Sequence, residues 1–508
     1  RRCPHCIGAA RHRRVIFNIH DKGDLMARRF MAAAAVGAML LVACGSDKKT
    51  SSTTAAPAPA SAAATTAPAV TTPGTSAAAT TAAPSDTTAV ATTAPATGGQ
   101  GLVGDTPATA GTGCGLNNGK KATGAPIKLG NVTTSVPGID FSTGPAMMKA
   151  YFDCVNDNGG INGRPVQMLM ENDNLKPEDA AAAARKLIET DKVVAMVGGF
   201  SIIDCPVNAD YYKQMNFYVM VAGVPAECFS SPNISAANMG PGYSALGAAQ
   251  IVVEKGAKGT MVTMTNKTAT SDYNNSLAGL YAQSKGLKWI DIQIPPPIED
   301  ADGAVQDAVA KAGVGGAIVL NYTPPEGLKI LKAAEKLGLI DKVIWGSSTP
   351  LNDNSVAAAL GAAWKNKINV NAELSLLDDP RPEMELYRTV SAKYNSSAPL
   401  GSFQQMGFML GRIIVKTLID MNPADVDDPA KVNAAIKGIK NFDTHIVCKP
   451  WYFGGLPAGN VSNNWDYNVV PNGTDTMVLD KDCFPIAEVE PILTAVRAAE
   501  KSQGLNTP

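Results

Sequence analysis

Residues 127–173, IKLGNVTTSVPGIDFSTGPAMMKAYFDCVNDNGGINGRPVQMLMEND, read as strand, polar loop, helix, glycine turn and strand. The first strand, 127–132, stops at Thr133, Thr134 and Ser135, and Pro137 and Gly138 then break the backbone. Ser142 or Thr143 is placed to cap a helix with Pro145 in its first turn, and Met147, Met148, Tyr151, Phe152 and Val155 form an apolar stripe at helical spacing. Gly159 and Gly160 end the helix, and Asn162-Gly163 turns the chain into a strand over 166–170. This is the opening of an α/β domain, a class in which ligands bind at the ends of the strands.

The alternation continues downstream. Strands are expected at 193–197, 217–222, 259–265, 289–294, 317–321, 342–345 and 368–374, separated by helical patterns. Strands so spaced imply right-handed crossovers and parallel sheets covered on both faces, and their number suggests two sheets. Helical segments at 382–394, 401–421 and 430–439 then follow one another, with short strands near Trp451 and Met477. That order suits a chain returning from a second lobe to finish the first.

Upstream, residues 46–124 are almost entirely Thr, Ala, Pro, Ser and Gly, too poor in large apolar groups to offset the entropy of ordering a backbone. The folded part is therefore expected from Ala125. Its prolines favour extended conformations, so the tract reads as a spacer, and its Ser/Thr/Pro content suits an O-glycosylated stalk. Before it, Met26, Arg28, Arg29 and an apolar run over 30–42 have the order and length of an export signal. The run ends Leu41-Val42-Ala43-Cys44-Gly45, which resembles the lipobox of bacterial lipoproteins and implies lipidation of Cys44, with a membrane anchor and no spanning helix. Residues 1–25, RRCPHCIGAARHRRVIFNIHDKGDL, read as an upstream extension absent from the working protein. Cys3 and Cys6 lack the second ligand pair that a zinc knuckle needs.

The net charge of -1 points to neither nucleic acid nor an anionic membrane surface. Of the four histidines only His445 lies beyond residue 25, which argues against a Ser/His/Asp or Cys/His hydrolase and against a histidine-rich metal site. Gly198-Gly199 follows a strand but no GKS, GKT or GxGxxG pattern accompanies it. No metal or cofactor and no catalytic residue is expected.

VNDNGGINGRPVQMLMENDN and KPEDAAAAARKLIETDKVVAMVGGFS resemble the type I periplasmic binding proteins of the leucine/isoleucine/valine-binding kind, which serve ABC importers. The resemblance covers about residues 125–494. It implies two Rossmann-like lobes joined by three hinge strands: lobe 1 from 125–241 plus 375–445, lobe 2 from 242–374 plus 446–508. It further implies an extracytoplasmic receptor, lipid-anchored to the cytoplasmic membrane, that captures a small polar molecule (amino acid, amide or small carboxylate) for an ABC permease. A sensor of the same fold signalling to a membrane partner is the alternative.

Carried over from the resemblance, Ser201 falls where a hydroxyl binds the ligand, with Ser135 at the cleft border. Gly223 would allow backbone donors to approach, and Tyr273 and Tyr322 would cover the ligand. The family's acidic ammonium partner is expected after strand 342–345, but Gly346-Ser347-Ser348-Thr349 stands there. Enclosing an unpaired ammonium costs several kcal/mol. Ser348 and Thr349 therefore favour a neutral polar or carboxylate ligand over an ordinary α-amino acid.

Setting aside Cys3, Cys6 and Cys44 leaves six of the nine cysteines, an even number in an exported chain. Cys205 with Cys228, Cys448 with Cys483 and Cys114 with Cys154 are plausible partners by position, against free buried thiols or another connectivity.

Overall fold

The computed structural model describes residues 114–454 and 461–505. The upstream extension, the export signal, Cys44 and the spacer up to residue 113 lie outside them. In the first lobe, β1 (Ile127–Thr133) is followed by a small hairpin of β2 (Ser135–Val136) and β3 (Ile139–Asp140), then by β4 (Val166–Asn172), β5 (Ala195–Gly199), β6 (Val219–Val221) and β7 (Ile234–Ala236). Leaving out the hairpin, these form a parallel sheet in the order β4-β1-β5-β6-β7. Every residue of β5 is buried, as its lack of any polar side chain allows.

The second sheet holds β8 (Thr260–Asn266), β9 (Lys288–Ile294), β10 (Ala317–Asn321), β11 (Ile344–Ser347) and β12 (Ile368–Ala372), followed by β13 (Trp465–Pro471) and β14 (Met477–Pro485). Its order is β14-β13-β12-β11-β10-β8-β9, parallel except for the antiparallel pairs β12–β13 and β13–β14. The chain is thus a two-lobed α/β protein.

The helix Ser402–Asp420 returns to the first lobe because its apolar stripe fits the helix Thr143–Asp157. A side-chain carbon at Gly407 would sit 1.9 Å from the carbonyl oxygen of Gly144, so the two backbones touch there and only glycine fits. Around this crossing, Met148, Tyr151, Phe408 and Ile413 are fully buried. The guanidinium of Arg412, 2 % exposed, is neutralised by the Glu383 carboxylate and accepts company from Tyr151, to whose hydroxyl it donates at 3.0 Å.

The chain crosses between lobes near residues 237–240, 373–375 and, among the described residues, 446–454 and 461–464, and these crossings bond to one another. Ser375 N donates to Ile446 O at 2.7 Å, Trp451 Nε1 to Ala236 O at 3.0 Å and Asn463 Nδ2 to Glu373 O at 3.0 Å. Disulfides join Cys114–Cys154, Cys205–Cys228 and Cys448–Cys483, with Cα separations of 5.8, 5.3 and 5.8 Å.

Several expectations are corrected. Packed structure begins by Cys114, not Ala125: Cys114 is fully buried, and the N–H groups of Ala122, Thr123 and Gly124 donate to Asn156 O and Gly163 O. The disulfide and those backbone bonds anchor a segment too polar to read as folded. The strand near Trp451 is one isolated bridge to Phe442. The hairpin, β7, β13 and the helix Pro491–Gln503 were not foreseen. β7 is too short to show a period, and buried Asp466 and Asn468 interrupt the apolar pattern of β13. Among the described residues, no helix is long and apolar enough to cross a membrane.

Candidate functional site

The C-terminal ends of β5 and β6 in one lobe and of β8, β10 and β11 in the other face a common cleft. It is open to solvent on one side and holds a cavity of about 90 Å³. The lobe-1 wall is mostly apolar: Ile139 and Phe141 from the hairpin, Ile202 after β5, Gly223 and Val224 after β6, and Phe403 and Met406 from the returning helix. Phe141 and Phe403 meet edge to face with ring centres 5.3 Å apart. The lobe-2 wall is polar: Thr265 and Asn266 end β8, Thr268, Thr270 and Asn274 surround the start of the helix Ser271–Ser284, and Asn321, Tyr322 and Thr323 follow β10. The hinge supplies Asn238, Gly240, Pro241 and Glu373.

The lobes touch at the rim. Gly138, in the hairpin turn at φ +83°, lies against Pro296 and Pro297 of lobe 2. On another side, Asn354 N donates to Leu400 O at 2.9 Å and Ser402 N to Asn352 O at 3.0 Å.

The expected ligand residues divide between wall and framework. Tyr322 lines the cavity, is 2 % exposed, and its hydroxyl has no partner among the described residues. Gly223 also lines it, but its N–H donates to Asn238 Oδ1 at 2.7 Å and its carbonyl accepts from Asn238 Nδ2 at 2.9 Å, so its backbone is already paired. Glycine is needed there because a side-chain carbon would lie 2.9 Å from both Cys228 and Phe229.

Ser201 is absent from the lining. Its hydroxyl donates to the buried Asp173 carboxylate and accepts from Ile203 N and Asp204 N at 3.0 and 2.8 Å. Thr134 donates to the same Asp173 oxygen at 2.8 Å and accepts from Ile202 N at 3.0 Å. These hydroxyls hold the ends of β1, β4 and β5 together behind Ile202. Ser135 sits in the hairpin with its N–H on Asn172 Oδ1, away from the cavity. Tyr273 packs its ring against Gly242 of the helix Gly240–Glu254 and does not face the cleft.

Ser348 and Thr349 form a layer behind the wall. Ser348 donates to Asn321 Oδ1 at 2.9 Å. Thr349 Oγ1 meets Ser244 Oγ at 2.9 Å and accepts from Asn371 Nδ2 and Glu373 N, both at 3.3 Å.

Glu373 was missed. It directly follows β12, inside a stretch that reads in the sequence as strand interior, and the bonded crossing at 373–375 brings it to the cleft, at 2 % exposure. Burial pushes its carboxyl up to about 8, against a downward pull from the N–H of Met239, which donates to Oε2 at 2.5 Å. Burial holds the nearby Asp466 well above the usual carboxylate range, reinforced by Glu373 itself. The described residues contain no cluster of His, Cys, Asp and Glu suited to a metal.

Residues 126–466, more than half the chain, match the family of periplasmic binding proteins, and the chain belongs to that family. Its fold is that of the type I members, with which the leucine/isoleucine/valine-binding proteins are grouped. The chain is similar to a branched-chain amino acid ABC transporter structure from Thermus thermophilus with bound valine, with TM-score 0.62, 14 % identity, and coverage of 74 % of this chain and 99 % of that one. It is also similar to a fatty acid ABC transporter substrate-binding protein from Thermomonospora curvata, with TM-score 0.61, 16 % identity, and coverage of 74 % and 96 %. At such identities the likeness is one of fold. A curated amino acid binding protein of Pseudomonas aeruginosa is 29 % identical over 69 residues, 14 % of this chain; the match spans only 18 % of that relative.

Proposed function

We propose that the chain is an extracytoplasmic, non-enzymatic solute receptor, anchored to the membrane through a lipid on Cys44. It captures a small polar molecule in the cleft and delivers it to an ABC permease. The observation that carries this reading is the cleft at facing strand ends, walled by both lobes and floored by their hinge. Residues from both sheets contact one volume, so a solute held there ties the lobes together and closure reports occupancy. Tyr322 is the expected residue best placed to touch it.

The test is a thermal-shift screen of the full chain against amino acids, amides, small acids and polyols, since a ligand of the folded state raises the melting temperature. A shift with one chemical series is expected; no shift with any series counts against a solute receptor. For the anchor, Cys44→Ser should move the protein from the membrane fraction to the soluble one, and continued retention argues against lipidation.

A further inference from the structure

Behind the cleft floor, the register of β12 and β13 pairs Val370 with Val469, Asn371 with Asn468 and Ala372 with Tyr467. One step further it sets Asp466 opposite Glu373, on the face of the sheet that Asn371 also occupies. Asp466 and Asn371 are fully buried, and three of their oxygens, Asp466 Oδ1 and Oδ2 and Asn371 Oδ1, have no partner among the described residues. Two of the three converge. Asp466 Oδ2 and Asn371 Oδ1 together fill the place that a side-chain carbon on Gly247 would take, over the bare backbone of the helix Gly240–Glu254. The Asn371 amide stands within hydrogen-bonding reach of the Asp466 carboxyl, while its nitrogen is engaged elsewhere, donating to Ser244 Oγ at 3.1 Å and to Thr349 Oγ1 at 3.3 Å.

Two acceptor oxygens that converge in a dry interior repel each other unless a proton lies between them, and a carboxylate with no donor on either oxygen is among the costliest groups to bury. Nothing nearby offers that charge a partner. Ser244 and Gly247 of the helix, Phe484 of β14 and Asn371 of β12 are uncharged, and Glu373, the charged group that acts on Asp466, has the same sign. Among the described residues, no lysine, arginine or histidine pairs with either acid. Glu373 is better provided, since the Met239 N–H donates to its Oε2 at 2.5 Å and the Thr349 side chain also bonds its carboxyl. Of the two acids facing each other, Asp466 is the one that has to keep its proton.

From this geometry we infer that Asp466 is a positioning residue held as a neutral acid: a proton on Oδ2 is donated to Asn371 Oδ1 and fastens β13 to β12 behind the cleft floor. Glu373, opposite it, is thereby the hinge carboxyl left to take a charge against a solute. Turning the Asn371 amide over would give an ionised Asp466 one donor and leave its other oxygen bare, which the proton avoids. Burial and the like-charged Glu373, which hold Asp466 well above the usual carboxylate range, act in the same direction. The place of the proton follows from the hinge alone, and its bearing on a solute rests on reading the cleft as a solute site.

The experiment is infrared spectroscopy of the full chain at pH 7, without solute, comparing wild type, Asp466→Asn and Glu373→Gln. The difference between wild type and Asp466→Asn is expected to show the carbonyl stretch of a buried protonated carboxylic acid. A carboxylate stretch there overturns the inference and puts the turned-over amide in its place. The acid band lost in Glu373→Gln should titrate at the same pH in wild type and in Asp466→Asn, because a neutral neighbour adds no charge to it. A titration moved to lower pH by Asp466→Asn also overturns the inference, since an ionised Asp466 would have been holding the Glu373 proton on. Should Asp466→Asn fail to fold, wild type labelled with carbon-13 in its aspartate carboxyls is read at pH 8, above Asp204 at about 6. An aspartic acid band is expected there, and its absence overturns the inference. None of these readouts uses a solute, so their failure leaves the receptor reading standing, and failure of the ligand screen leaves them unaffected.

Discussion

The hydroxyl of Ser201 has one proton and two lone pairs, and all are used, by Asp173 and by the N–H groups of residues 203 and 204. It takes up the N–H groups of Ile203 and Asp204 at the entry to the helix Asp204–Gln214 as well as tying two strand ends together. Ser201→Ala should therefore lower stability by about 1–3 kcal/mol, because the N–H groups of residues 203 and 204 lose their acceptor and Asp173 Oδ2 keeps Thr134 but loses its second donor. Urea denaturation measures this, and an unchanged midpoint would show that the bonds contribute nothing. In the sequence a serine at a strand end looks the same whether its hydroxyl faces solute or framework. What decides is Asp173, a residue reached only when β4 comes to lie beside β1. The place of Tyr322 in the wall was legible because it directly follows β10, a buried strand that ends at the cleft. Asn266 and Asn274 were not, since an asparagine near a helix start reads first as a local turn or cap.

Among the elements, the hairpin β2–β3 is the one most exposed to mechanical change. Its turn residue Gly138 has φ +83°, and a side-chain carbon there would lie 3.1–3.3 Å from Pro296 and Pro297 across the rim. Gly138→Ala should strain the turn and press the lobes apart, costing the closed form about 1 kcal/mol and so weakening solute affinity several-fold. Calorimetry gives the affinity and small-angle scattering the compaction on binding; full affinity and compaction in the variant would show that this contact does not bear on closure. The hairpin is too short to carry a period of two, so only Pro137 and Gly138 marked it, and they marked a break. The long alternating elements were legible because their burial is uniform, as in β5 and β10, whereas β13 hid behind buried Asp466 and Asn468.

At the scale of the whole molecule, buried acids give stability a pH dependence. Asp204, pushed up to about 6 by burial, and Glu373, pushed up to about 8, both hold protons more tightly in the folded chain than in the unfolded one. Their contribution is present in full below the ordinary carboxylate range, near pH 4, and is lost as pH rises through 6 and then 8. Melting temperature should thus fall between pH 5 and pH 8.5. Glu373→Gln, which keeps an oxygen for the Met239 N–H, should reduce that fall. An identical pH profile for wild type and variant would show that Glu373 does not titrate in this range, and Asp466, its raised neighbour, would be tested next in the same way. The existence of two sheets and the return of the helix Ser402–Asp420 followed from the succession of strand and helix patterns, whereas the order of strands within each sheet did not. The position of Glu373 did not, because a hinge exists only where distant crossings bond to each other.

That bonding has a kinetic consequence. Groups near an axis of rotation move little while those far from it sweep a wide arc. Glu373 sits at such a fulcrum, clasped by Met239 and Asn463 from the other two crossings, and Gly138 and Pro297 sit at the far end of the jaws. A solute can therefore meet Glu373 in the same geometry before and after closing. Substitutions at the fulcrum should act on how fast solute docks, and those at the rim on how long it stays.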